Sequence, residues 1–162
     1  MDESRFGLLS IQRRCLTARG VKPVIPYQHR FHNFYLFGAY APGSGDHFTL
    51  ELPACNTDCF QVWLDRFSMH KPKEFKVVVL DNGAFHKASG LKMPANISLL
   101  FLPPYCPELN PAELIWSWLK NKLGNKVYAT LDVLSEALGG IVKPLTPEMI
   151  RSVTGWKLYT NI

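Results

Sequence analysis

The chain has 162 residues, a formal net charge of +5 and a pI near 9.1. With 47% hydrophobic and 19% charged residues it has the balance of one folded soluble domain, which excludes a disordered polyelectrolyte. No leader peptide and no apolar run approaching a membrane span is visible, so a cytoplasmic location is expected. The positive charge favours a polyanionic partner, and basic residues cluster at Arg13, Arg14, Arg19 and Lys22 and again at Lys120, Lys122 and Lys126. Such clusters suit a DNA backbone, or simply two solvated faces. Four cysteines form neither a disulfide framework nor a zinc site, because Cys55 and Cys59 have no second pair and no nearby histidine. Reduced thiols are the expectation.

In chain order, short apolar runs separated by turn residues predict strands over Phe6 to Ser10, Arg14 to Arg19, Phe34 to Ala41 and His47 to Leu52. The last two are joined by Pro42-Gly43-Ser44-Gly45-Asp46, dense enough in turn formers for a hairpin. Phe60, Trp63, Leu64 and Phe67 recur at helical spacing, predicting a helix from Thr57 to Met69 capped by Thr57 or Asp58. Lys76 to Leu80 is β-branched and continuously apolar, as is Ile97 to Leu102, and both predict strands buried on two faces. From Asn110 the pattern turns helical, with Leu114, Ile115, Trp118, Leu119 and Leu123 as its apolar stripe. A helix over Leu131 to Leu138, capped by Thr130, is expected to break at Gly139-Gly140. A last helix starts at Thr146 with Pro147 in its first position. Periodicity alone thus predicts an α/β fold with a mixed sheet.

Three acidic residues stand in distinctive frames: Asp2 in Met1-Asp2-Glu3-Ser4-Arg5-Phe6-Gly7, Asp81 in VVVLDNGAFH, and Glu113 in YCPELNPAELIWSWLK. Carboxylates from three separate segments are the donor set of a two-metal phosphoryl-transfer site, since Mg2+ and Mn2+ take hard oxygen ligands. Asp81 ends a buried strand, where α/β sheets place ligands, although Asp-Asn-Gly is also turn chemistry in its own right. Glu113 falls at the third position of a helix capped by Asn110, so it also fits a capping box. Asp2, at a free terminus, lacks the preceding strand that would fix it. Glu3 reads as a surface residue, Trp118 as core, and Glu108 as a turn residue.

These frames resemble the catalytic domain of DDE transposases of the mariner superfamily and its bacterial insertion-sequence relatives. The resemblance rests on Asp2-Glu3-Ser4, on Asp81-Asn82-Gly83-Ala84-Phe85-His86, and on the Tyr105 to Glu113 phrase with Glu108-Leu109-Asn110-Pro111, the most specific of the three. It covers roughly residues 1 to 123, and Asp81 and Glu113 have 31 residues between them, a few fewer than is usual for the family. The family implies a ribonuclease-H-like mixed sheet flanked by helices. Because the first Asp is residue 2, the first strand of that sheet is expected to be largely missing. Residues 1–125 would be the catalytic domain and 126–162 its helical extension.

The resemblance further implies that Asp2, Asp81 and Glu113 hold two Mg2+ or Mn2+ ions for DNA strand cleavage and strand transfer. His86, Asn82 and Asn110 would support that triad from behind. The implied partners are element-end and target DNA and a second copy of the chain in a synaptic complex. No helix-turn-helix segment is visible, so a separately encoded one is expected. The competing readings are a non-catalytic transposase remnant that binds DNA or dimerises with an intact copy, and a general ribonuclease-H-like nuclease. The Asn110-Pro111-Ala112-Glu113 phrase argues against the latter.

Overall fold

The computed structural model describes residues 1–104 and 106–155, so Tyr105 of the third frame lies outside the described residues. The elements in order are β1 (Asp2–Gly7), β2 (Asn33–Tyr40), β3 (His47–Leu52), α1 (Thr57–Met69), β4 (Lys76–Leu80), β5 (Ile97–Phe101), α2 (Ala112–Leu123), α3 (Leu131–Val142) and α4 (Pro147–Thr154). Short 3-10 turns follow β4 at Ala84–Lys87 and precede α2 at Pro107–Leu109.

Strand alternation on β2 explains the layering. Phe34, Leu36 and Tyr40 pack with Ala112, Ile115, Trp116 and Leu119 of α2 and with Leu134, Leu138 and Ile150 of α3 and α4. Phe37, on the opposite pleat, packs with Phe60, Trp63, Leu64 and Phe67 of α1 and with Val78, Leu80 and Ile97 of β4 and β5. The antiparallel sheet therefore separates two hydrophobic cores. Helices α1, α3 and α4 each start at a side chain that accepts from a free backbone donor of the first turn. Asn56 accepts from the Cys59 N–H, Thr130 from the Val133 N–H and Thr146 from the Met149 N–H. The α1 cap is thus Asn56 and not Thr57 or Asp58.

The single mixed sheet is divided in its pairing. β1, β2 and β3 form one antiparallel sheet, with Asp2 opposite Gly38 and Tyr40 opposite His47. β4 and β5 pair in parallel, Lys76 with Ile97 through Leu80 with Phe101. The halves share the core around Phe37, and the Met1 ammonium donates across to the Val79 carbonyl at 2.7 Å. β1 pairs with β2 along all six of its residues, whereas toward β4 it is reduced to Met1. Asp2 consequently sits on a strand and not on a loose end.

Three other expectations shift. β1 begins at Asp2, four residues ahead of the expected Phe6, and no strand forms over Arg14 to Arg19, where Leu16 is fully exposed. α3 runs through Gly139-Gly140 to Val142. Ile141 and Val142 pack against the core, and that burial offsets a glycine cost of about 1 kcal/mol each. On α2 the buried face carries Trp116 in place of Leu114, which is 42% exposed. The hairpin between β2 and β3 forms as expected, and Gly45 within it requires its φ of +78°.

Candidate active site

At the seam between the two sheets lies a cleft of about 460 Å³ lined by Asp2, Asp81, Asn82, Asn110 and Glu113, together with the Leu102–Pro104 segment. The strand end at Leu80 delivers Asp81, β1 delivers Asp2, and the first turn of α2 delivers Glu113. All three carboxylates predicted from sequence therefore face one cavity, despite the 31 residues between the last two.

Each is held differently. Asp2 is half-buried and accepts a hydrogen bond at 2.8 Å from the Trp116 indole N–H. Burial, joined by the nearby Glu3 and Glu113 carboxylates, pushes its pKa up to about 7, against the lowering effect of the indole. Asp81 has a side chain 60% exposed; its Oδ1 accepts from the Gly83 N–H at 2.9 Å and lies 3.0 Å from His86 Nδ1. That imidazole contact lacks hydrogen-bond alignment, so the Asx turn to Gly83 is the firmer of the two. Both sequence-level roles of Asp81, turn and site, are present together. Glu113 is exposed at the start of α2, whose cap residue Pro111 contributes no side-chain bond. Asn110 Oδ1 instead accepts from Ala112 N–H at 3.2 Å, so the expected capping box does not form.

The supporting residues divide by element. Buried Asn110 donates to the Met1 carbonyl at 3.1 Å, fixing the backbone just ahead of Asp2. Asn82 donates to the Leu102 carbonyl, tying the end of β4 to the end of β5, and accepts from Lys87. His86 is buried, with Nε2 2.9 Å from Glu3 Oε1.

Sequence reasoning missed two of these contributors. Glu3, expected at the surface, has a side chain only 6% exposed and is engaged by His86. Strand alternation could have found it, since neighbours on β1 must point to opposite layers and Asp2 already takes one. Trp116 lies three residues after Glu113, hence on the same helix face, and that spacing was the available signal.

The donor chemistry of the cleft fits a divalent cation: three acidic residues line it, and burial, with the like charge of Glu3 and Glu113, already pushes Asp2 toward protonation. Among the described residues, however, no three His, Cys, Asp or Glu side chains stand close enough together to share one ion. Of the three, Asp81 and Glu113 are exposed and Asp2 is half-buried.

The chain belongs to the DDE superfamily endonuclease family, whose model matches residues 1–135. It is similar to the Mos1 transposase paired-end complex with left transposon end, at a TM-score of 0.70 and 16% identity, covering 99% of this chain and 51% of that one. It is also similar to the Mos1 strand transfer complex, at a TM-score of 0.68 and 15% identity over 98% of this chain and 50% of that one. The fold is thus the ribonuclease-H-like one of those structures. The chain spans about half the length of these solved relatives. The Sinorhizobium fredii protein y4pE/y4sA is 38% identical over 100 residues, which is 60% of this chain and 74% of that protein. No helix among the described residues is long and apolar enough to cross a membrane.

Proposed function

We propose that this chain is the catalytic part of a DNA transposase, with Asp2, Asp81 and Glu113 as its catalytic carboxylates. The observation that carries the reading is their convergence on one cleft from three separate elements in a chain of the DDE endonuclease family. We read residues 1–125 as the catalytic domain and 126–162 as its helical extension, of which residues 156–162 lie outside the described residues. Solved Mos1 relatives that include Mn and Mg complexes support divalent metal as the cofactor.

Two Mg2+ or Mn2+ ions, held by Asp2, Asp81 and Glu113, would supply Lewis-acid stabilisation of the attacking and leaving oxygens of a phosphodiester. The chain's own part is placement. Trp116 fixes one Asp2 oxygen, Asn110 fixes the backbone beside it, and the Gly83 N–H orients Asp81, with the His86 imidazole 3.0 Å away. Water, and later a DNA 3′-hydroxyl, would attack in line, and each step needs no covalent protein–DNA intermediate. Element-end and target DNA are the substrates, and a second copy completes the synaptic complex. The location is cytoplasmic, at the nucleoid.

A second reading is a non-catalytic chain that binds DNA or dimerises with an intact copy. The spacing of the acidic side chains favours it, since among the described residues no three His, Cys, Asp or Glu side chains stand close enough together to hold one ion. The two separate in one experiment: Mn2+-dependent nicking of supercoiled plasmid by the wild type and by Asp81→Asn. Nicking that needs Mn2+ and falls more than about a hundredfold in the variant, with folding retained, supports the catalytic reading. Equal nicking by the variant sinks it, and DNA binding with no nicking by either protein selects the second.

A further inference from the structure

β1 and α2 both lead away from the carboxylates toward one cationic cleft. Arg5 follows Asp2 by three residues along β1, about 10 Å at strand rise. Lys120 follows Glu113 by seven residues on the same face of α2, again about 10 Å. Both residues line a second cavity of about 420 Å³, together with Arg30, His32, Asn33 and the exposed Phe31. No Asp or Glu lines it. Among the described residues, none of the ion pairs involves Arg5, Arg30 or Lys120.

These cations are placed by their surroundings. Arg30 donates to the Ala129 carbonyl at 2.9 Å, and the Lys120 ammonium lies 5.9 Å over the Phe6 ring. Burial holds the Lys120 pKa below its usual value; Arg13 and Arg5 add to this, while Glu113 and Asp2 oppose it. Lys120 therefore feels both the carboxylate cleft and the cationic one. Cations without carboxylate partners in a concave wall are the electrostatic footprint of a phosphate track.

We infer that this Arg5–Arg30–Lys120 cleft receives the sugar–phosphate backbone of the DNA strand whose reacting phosphate occupies the carboxylate cleft. The inference rests on the transposase reading for the direction of that strand. At 3.4 Å per nucleotide, about 10 Å places the contacted phosphates about three nucleotides from the reacting one. Phe31, exposed and in edge contact with the His29 ring, adds an aromatic group to this wall.

The test is fluorescence anisotropy with a 30-base-pair duplex and with its single strand, in EDTA, across 50 to 200 mM NaCl. Arg5→Gln/Lys120→Gln is expected to flatten the slope of log affinity against log salt by about 1.8 on the duplex, at about 0.9 per lost phosphate contact. Arg5→Gln alone, at an exposed position, is expected to flatten it by about 0.9, which keeps the test open should Lys120→Gln misfold. Lys143→Gln, just past α3, serves as the control and is expected to leave the slope unchanged. An unchanged slope in the Arg5 variants overturns the inference, and so does equal flattening in the control. Tight binding of a polyglutamate peptide lost with the same substitutions would also overturn it, in favour of an acidic protein partner. Because EDTA removes divalent ions, failure here leaves the plasmid-nicking test intact, and loss of nicking leaves this one intact.

Discussion

Asp2 and Glu3 are neighbours on β1, yet they are held from opposite layers and by donors of different kind. Asp2 turns toward α2 and meets a neutral indole, whereas Glu3 turns toward the α1 side and meets an imidazole that can carry charge. A neutral donor leaves burial and the neighbouring acids in command, which is why Asp2 rises to about 7. The α2 layer thus presents a carboxylate that gains from an incoming cation. The α1 layer builds a Glu3–His86–Asp81 line that positions a carboxylate without burying it. The site straddles two layers with two separate hydrophobic cores, so each half can be perturbed alone.

The largest effect is expected on the α2 side. Trp116→Ala removes a buried ring from the core and the donor to Asp2 together, and should cost about 3–5 kcal/mol in chemical unfolding. Trp116→Phe keeps most of the packing and loses the charge-assisted bond, for about 1.5–3 kcal/mol. A Phe variant as stable as wild type would show that the indole N–H does not matter to Asp2.

Next in size is the pH dependence. A carboxyl whose folded pKa is raised from 3.8 to about 7 binds more protons folded than unfolded between those values. Its contribution therefore favours the fold at low pH and is lost as pH rises through about 4 to 7, by at most about 4 kcal/mol. The Met1 ammonium, lowered from 8.0 to about 6 chiefly by burial, acts oppositely: stability returns as pH rises through about 6 to 8. Asp2→Asn removes the first of these and can still accept from Trp116. Its melting temperature should gain on the wild type's steadily from pH 4 to pH 7 without metal. Parallel pH profiles for the two proteins would contradict the raised pKa.

On the α1 side the perturbation is smaller. Glu3→Gln removes the anion beside buried His86 and should cost about 1–3 kcal/mol. It should also weaken Mn2+ binding, read by electron paramagnetic resonance, because Asp81 loses part of its support. Loss of stability with unchanged Mn2+ affinity would confine Glu3 to a structural role.

What was legible in the sequence follows from range. The spacing of Phe60, Trp63, Leu64 and Phe67 located α1 residue for residue, and β4 ended where its apolar run ended. The three carboxylate frames were visible because each lies in a short, local phrase. Hidden were the contacts between distant segments: Trp116 with Asp2 across 114 positions and His86 with Glu3 across 83. No local pattern encodes those pairings. The division of the sheet was equally out of reach, because a strand's partners are set by tertiary pairing and not by its composition.

The smallest expected effect probes the one helix whose end was misplaced. Gly139-Gly140 reads as a break, yet α3 continues through it with helical bonding, closing with Lys143 N–H to the Gly139 carbonyl at 2.9 Å. Space is not what glycine supplies there: a methyl at Gly140 would meet nothing within 4 Å, and at Gly139 only the far end of Lys143 at 3.9 Å. Neither residue has positive φ. Alanine at Gly140 should therefore stabilise the protein by about 0.5–1 kcal/mol, by lowering the entropy of the unfolded chain and raising helix propensity. Gly45→Ala supplies the contrast, since its φ is +78° and its Cβ would stand 2.3 Å from the Pro147 carbonyl oxygen, where α4 begins. That variant should destabilise. A melting temperature lowered by Gly140→Ala would mean that the glycine pair bends or opens α3 in solution, and that a break at this point, as its composition suggests, is nearer the truth.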